Sequence, residues 1–243
     1  HNMMFQASFY SNIFAGHFLP SLSEINMKKT TKNIVSASVA AVMMGGASLA
    51  HAADSVNVAF FLEWATPNQI SKVEKAYDDA MGVKVNWTDF KTGTAMTEAM
   101  LAGDIDIAYS QGLSPFVTAV QQGHPLKMVG VAMEYPANNC YIKNGLGIDA
   151  SNASELEGKT VAVPLNTMAD FAFRSYMKHF KVDVSTLSIV DMVPADGAKS
   201  LADGNVDMAC IFGGNSSKAA AEVGVAIMTD AQKVDAGIGS FDV

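Results

Sequence analysis

Apolar and polar positions alternate along residues 56–61 (VNVAFF) and 83–90 (VKVNWTDF), which predicts two strands. Between them, Thr66 and Pro67 supply an N-cap and a first-turn proline for a helix running to about residue 80. Gly93-Thr94 opens a second helix over 93–101, residues 105–109 form a short strand, Ser114-Pro115 caps a helix ending near Gly123, and 126–133 reads as a strand. After Tyr135-Pro136 the cycle restarts. Residues 139–143 are a strand, 147–159 a polar connection, 160–164 a buried strand and 168–180 a helix. A strand at 187–192, a helix at 194–201 and strands at 206–212 and 224–228 follow. Strands alternating with helices of this length form βαβ units, so the fold class is α/β with mostly parallel sheets.

One phrase occurs twice. AGDIDIAYSQG (102–112) returns as DGNVDMACIFG (203–213), and Gly103/Gly204, Asp106/Asp207, Ala108/Ala209 and Gly112/Gly213 all pair at one spacing. A common helix-to-strand turn accounts for the phrase alone. The matching order of elements around it points further, to two similar α/β halves.

Composition changes this picture at the N-terminus. Lys28, Lys29 and Lys32 precede an apolar run over 34–49 and then Ala50-His51-Ala52, the pattern of a secretory signal cut before Ala53. The run is broken by Gly45, Gly46 and serines, and is shorter than the roughly 20 residues that a membrane span needs. Residues 27–52 are therefore read as a signal peptide, and 1–26 as upstream sequence carried along in the reading frame. The 243 residues are 49% hydrophobic with net charge −8, a globular composition whose acidity disfavours nucleic acid as a partner. Two cysteines make no disulfide framework. Cys140 and Cys210 lie on strands expected to share the second sheet; an oxidising compartment allows a bond, and buried free thiols are the expectation.

Ligands of open α/β sheets bind beyond the carboxyl ends of the strands, where loops lead into helix N-termini. Such N-termini carry unpaired N–H groups and the positive dipole end, so they suit an anion. Gly112 and Ser114 with Pro115 make that site in the first half, and Asn166-Thr167-Met168 in the second. Catalytic equipment is not visible. After the signal the histidines are His124 and His179, both placed after helices at the opposite sheet end, and no cluster has metal-ligand spacing. GLGIDA (145–150) mimics a dinucleotide motif without opening a helix. No catalytic residue, cofactor or metal is expected.

The phrases KTGTAMTEAMLAGDIDIA, LAGDIDIAYSQGLSP, ELEGKTVAVP, IVDMVPADGAKSLADGNVDMA and the closing FDV carry a resemblance. They are similar to the solute-binding proteins of ABC importers, in the nitrate/sulfonate/taurine group and its taurine-binding members. The resemblance implies a two-lobe type II binding-protein fold, with residues 56–136 plus 238–243 in lobe one and 137–237 in lobe two. It also implies a periplasmic monomer that delivers taurine or a related zwitterionic or anionic solute to an inner-membrane permease. Taurine's ammonium wants carboxylates or aromatic faces. Glu63 and Trp64 offer both, Phe212 stands where relatives place a large aromatic, and Asp242 matches an aspartate of the taurine binders. Gln111 and Asn139 complete the candidate set. In the family's topology further helices follow the return strand, so the chain is read as a fragment of a longer frame. The alternative reading is an enzyme on the same fold, a desulfinase or thiamine-precursor synthase relative, with Cys140 or Cys210 as nucleophile.

Overall fold

The computed structural model describes residues 54–64 and 66–243. The upstream stretch and the signal peptide lie outside those residues. In the first lobe, β1 (Ser55–Phe60) is flanked in parallel by β2 (Lys84–Asp89) and β3 (Ile107–Ala108), giving the order β2-β1-β3. Beside it, β4 (Met133–Pro136) pairs antiparallel with the last strand, Gly239–Asp242. The second lobe is one five-stranded mixed sheet. Its strands in chain order are β5 (Asn139–Lys143), β6 (Thr160–Val163), β7 (Ser188–Asp191), β8 (Met208–Ile211) and β9 (Gly224–Ala226), and the last strand of the chain is β10. The spatial order is β7-β6-β8-β5-β9, parallel at β6 with β7 and β8, and antiparallel where β5 meets β8 and β9.

The repeated phrase has a structural cause. Helices α3 (Gly93–Ala102) and α6 (Pro194–Asp203) end at Gly103 and Gly204, whose φ of 84° and 78° lie in the left-handed region that favours glycine. The aspartate three residues on then fastens the next strand to its neighbour. Asp106 Oδ2 accepts the Asn57 N–H at 2.8 Å, and Asp207 Oδ2 accepts the Thr160 N–H at 2.8 Å. A second pair matches: Asp89 accepts the Leu62 N–H at 2.8 Å, and Asp191 the Leu165 N–H at 2.9 Å. Each carboxylate satisfies a backbone donor in, or just past, an interior strand, β1 or β6.

Helix α5 (Met168–Phe180) coincides with its predicted span. Ala169, Ala172, Phe173, Tyr176 and Met177 form one buried stripe at i, i+3, i+4, i+7 and i+8, and the Thr167 side chain caps the start by accepting from Ala169 N. The helix expected over 67–80 is instead two, α1 (Asn68–Val73) and α2 (Ala76–Met81), broken at Lys75 with φ 58°. They bury only Asn68 between them, so no apolar stripe packs one longer helix against the sheet. The strand expected over 126–133 shrinks to β4, because residues 126–131 find no sheet neighbour and leave Met128, Val129 and Val131 exposed. Helix α4 (Leu113–Gln121) stands where predicted, while α7 (Gly214–Val223) and α8 (Asp230–Asp235) were not anticipated.

The cysteine expectation is overturned. Cys140 and Cys210 are disulfide-bonded, since they sit directly opposite each other on antiparallel β5 and β8 with Cα atoms 3.9 Å apart. That register brings same-face side chains within bonding reach, which spacing in sequence does not disclose. His179 lies in the last turn of α5 rather than after it.

Candidate functional site

Return strand β10 brings the end of the chain against the loop after β3. Gln111 and Val243 exchange backbone hydrogen bonds at 2.9 and 2.7 Å, and Asp242 bridges Gly112. This docking sets the Asp242 side chain, 3% exposed, into a cavity of about 330 Å³ between the lobes. Its carboxylate accepts from Ser110 Oγ at 2.8 Å and from Tyr135 Oη at 3.0 Å. Burial raises its pKa above the usual carboxylate value, against the pull of those bonds. The Tyr135 hydroxyl is likewise held up, first by burial and then by Asp242. The four ion pairs among the described residues engage other carboxylates, so Asp242 is a buried carboxyl group with no cation beside it. Such a group is costly until a positive charge arrives.

Two aromatic pairs wall the cavity. Trp64 and Tyr135 meet edge-on with centroids 5.1 Å apart, and Phe61 and Phe212 lie 5.7 Å apart. Two polar atoms at this wall have no partner, the indole Nε1 of Trp64 and Oδ1 of Asn138.

Helix starts also line the cavity. Gly93 opens α3, Gly112 is the N-cap of α4 and Thr167 that of α5, and all three residues line the cavity. Gly112 permits the lobes to meet, because a Cβ there would lie 2.3 Å from Met168 Cγ. The Ser114 N–H in turn faces Met168 Sδ at 3.1 Å. The Thr94 hydroxyl at the start of α3 is buried and unpaired. The arrangement offers a carboxylate and aromatic faces to a cation, and three helix dipoles to an anion.

Of the residues singled out from sequence, Trp64, Gly112, Thr167, Met168, Phe212 and Asp242 line this cavity. Glu63 does not. It lines a neighbouring cavity of about 370 Å³, where Ser216 Oγ donates to its carboxylate at 2.9 Å and Gly214 N–H to its carbonyl at 2.8 Å. Glu63 thus clasps the start of α7 across the cleft. Gln111 is buried and donates through Nε2 to Gly93 O at 2.8 Å and to Thr97, bracing the start of α3. Ser114 reaches the site only through its N–H on Met168. Asn139 turns away from the cavity, bonded to Lys233 and Tyr141, and the preceding Asn138 faces it. Phe61, Ser110, Tyr135 and Asn138 were missed. The Asn138-Asn139 dipeptide was the one available sign, since adjacent residues entering a strand face opposite ways.

A cleft between two α/β lobes, lined by a buried carboxylate, aromatic rings and helix starts, is the architecture of the periplasmic binding-protein class of fold. Residues 69–238 match the NMT1/THI5 like family, and the chain belongs to it. The taurine-binding periplasmic protein of Escherichia coli (strain K12) is 23% identical over 189 residues, 77% of this chain and 57% of that protein. A putative aliphatic sulfonates-binding protein of Bacillus subtilis (strain 168) is 25% identical over 175 residues, 70% of this chain and 52% of its own. The chain therefore spans little more than half the length of these relatives. Among solved structures, the alkanesulfonate-binding protein SsuA of Xanthomonas axonopodis bound to MOPS superposes with a TM-score of 0.66 at 18% identity, covering 77% of this chain and 64% of that one. The nitrate-binding protein NrtA from Synechocystis gives 0.59 at 16% identity, covering 78% and 55%. At these identities the superpositions establish the fold.

Proposed function

We propose that the protein is the extracytoplasmic receptor of an ABC importer and binds taurine or a related small aminosulfonate between its lobes. The observation that carries this reading is Asp242, a buried carboxylate without a cation in an aromatic-walled cavity that three helix starts also line. A zwitterion a few atoms long satisfies both kinds of group at once: its ammonium lies near Asp242 and its sulfonate near the N-termini of α3, α4 and α5. The taurine- and sulfonate-binding relatives support the same ligand class. Trp64, Gly112, Thr167, Met168 and Phe212 are the remaining ligand contacts in this proposal.

The rest of the reading follows the relatives' periplasmic setting. A signal over 27–52 directs export, an inner-membrane permease receives the solute, and the receptor acts as a monomer. Lobe one comprises 56–136 with 238–243, and lobe two 137–237. The role is binding rather than catalysis: the enzyme alternative needs a cysteine thiolate, and the two sulfurs are bonded to each other.

A thermal-shift screen of the purified chain tests the ligand class. Taurine is expected to raise the melting temperature more than ethanesulfonate, nitrate, betaine or a pyrimidine precursor. A larger rise with nitrate or the pyrimidine would refute the assignment.

A further inference from the structure

We propose that Asn138 is the second acceptor for the ligand's ammonium group and that Lys233 is the residue that positions it. This inference rests on the aminosulfonate reading above. Asn138 is 7% exposed, lines the cavity and keeps Oδ1 without a hydrogen-bond partner. A buried amide oxygen left unpaired has lost water without gaining a donor, so the site is incomplete until one reaches it.

The backbone that presents Asn138 is gripped from the second lobe. Lys233 on α8 is 1% exposed and spends all three ammonium donors: on Ala137 O at 2.8 Å, Asn139 Oδ1 at 2.5 Å and Asp230 Oδ1 at 2.8 Å. Tyr176 Oη donates to Asn138 O at 2.6 Å, with Ala137 O 3.3 Å away. A buried lysine is expensive to keep, and here both of its buried contacts flank Asn138. Residues 137–139, the crossing between β4 and β5, are therefore fixed with Asn138 lining the cavity.

Two acceptors select a substrate class. A primary ammonium has N–H donors for Asp242 and Asn138 together, with the Trp64 and Tyr135 rings against its remaining side. A quaternary ammonium has none, so it meets the charge and the rings but leaves Asn138 Oδ1 unpaired. The cavity is then built for sulfonates bearing a primary amine rather than a trimethylated one.

Calorimetry on the full chain with taurine, N,N,N-trimethyltaurine and ethanesulfonate tests this. The wild type should bind taurine about tenfold or more tighter than the trimethylated form, and Asn138→Ala should lose about tenfold for taurine alone, the scale of one hydrogen bond to a charged group. Lys233→Met should reduce the taurine-to-ethanesulfonate ratio; if it does not fold, Asn138→Ala decides alone. Equal losses for taurine and ethanesulfonate in Asn138→Ala, or equal wild-type affinity for the two amines, would overturn the proposal. A taurine preference unchanged in Asn138→Ala removes the Asn138 role and leaves the aminosulfonate reading standing. A wild type that binds ethanesulfonate as tightly as taurine overturns both.

Discussion

In the second lobe, α5 lays Phe173, Tyr176 and Met177 against a five-stranded sheet, and the cluster around them gathers buried side chains from β5, β6 and β8. In the first lobe the corresponding cluster of buried residues is Ala59, Met96 and Ile105 under a three-stranded sheet. Large exposed apolar side chains concentrate there, among them Leu62, Ile70, Val73, Val129 and Val131. Yet both lobes place a left-handed glycine after the equivalent helix and an aspartate on the equivalent strand. The comparison separates two levels of specification. Local backbone satisfaction is duplicated, and depth of packing is not. The cleft draws on both, taking Asp242 and most of its aromatic wall from the thinly packed side, and Thr167, Met168 and Phe212 from the other.

The largest way to break that contrast is to weaken the better-packed lobe. Cys140 and Cys210 close a loop of 70 residues within it, so replacing both with serine should cost about 2–5 kcal/mol. Urea unfolding with and without reductant reads the loss, and an unchanged midpoint in both would mean the bond adds no stability. A smaller change sharpens the duplication. Asp106→Ala and Asp207→Ala each remove one carboxylate-to-backbone bond of 2.8 Å and should each cost about 1 kcal/mol, with the more exposed Asp106 at the low end. Denaturant titration of both variants checks the pair; a cost at one position only would mean the repeat is a shared phrase without a shared role.

How far the sequence discloses this structure follows the same divide. The strand at 139–143 and the helix at 168–180 match their predicted bounds because their buried faces repeat at the periods of the elements themselves. The helix over 67–80 breaks because its pattern never had a stripe to bury, and α7, small and polar in sequence (GNSSKAAAEV), gives no periodicity to read. At the site, Gly112, Thr167 and Met168 were legible as helix starts, a local signal. Tyr135, Ser110 and Asn138 enter through the docking of β10 and the crossing at 137–139, contacts between residues distant in sequence. The disulfide belongs to the same class: register decides it.

The central claim is that Asp242 holds a ligand's positive charge, and its raised pKa makes that testable with pH. Because the folded state holds the Asp242 proton more tightly than the unfolded chain, ionising this group weakens the empty fold. Ligand-free wild type should thus lose stability relative to Asp242→Asn as pH rises from the usual carboxylate range through the elevated value. Taurine needs the ionised form, so its affinity should run the opposite way, falling as pH drops through that same window. Calorimetric titration of taurine and ethanesulfonate across pH, on wild type and Asp242→Asn, reads this directly. The account predicts a taurine affinity that weakens on acidification, an ethanesulfonate affinity that stays flat, and an Asp242→Asn variant in which taurine loses both its advantage and its pH dependence. Full taurine affinity in Asp242→Asn, or the same pH profile for both ligands, would contradict it.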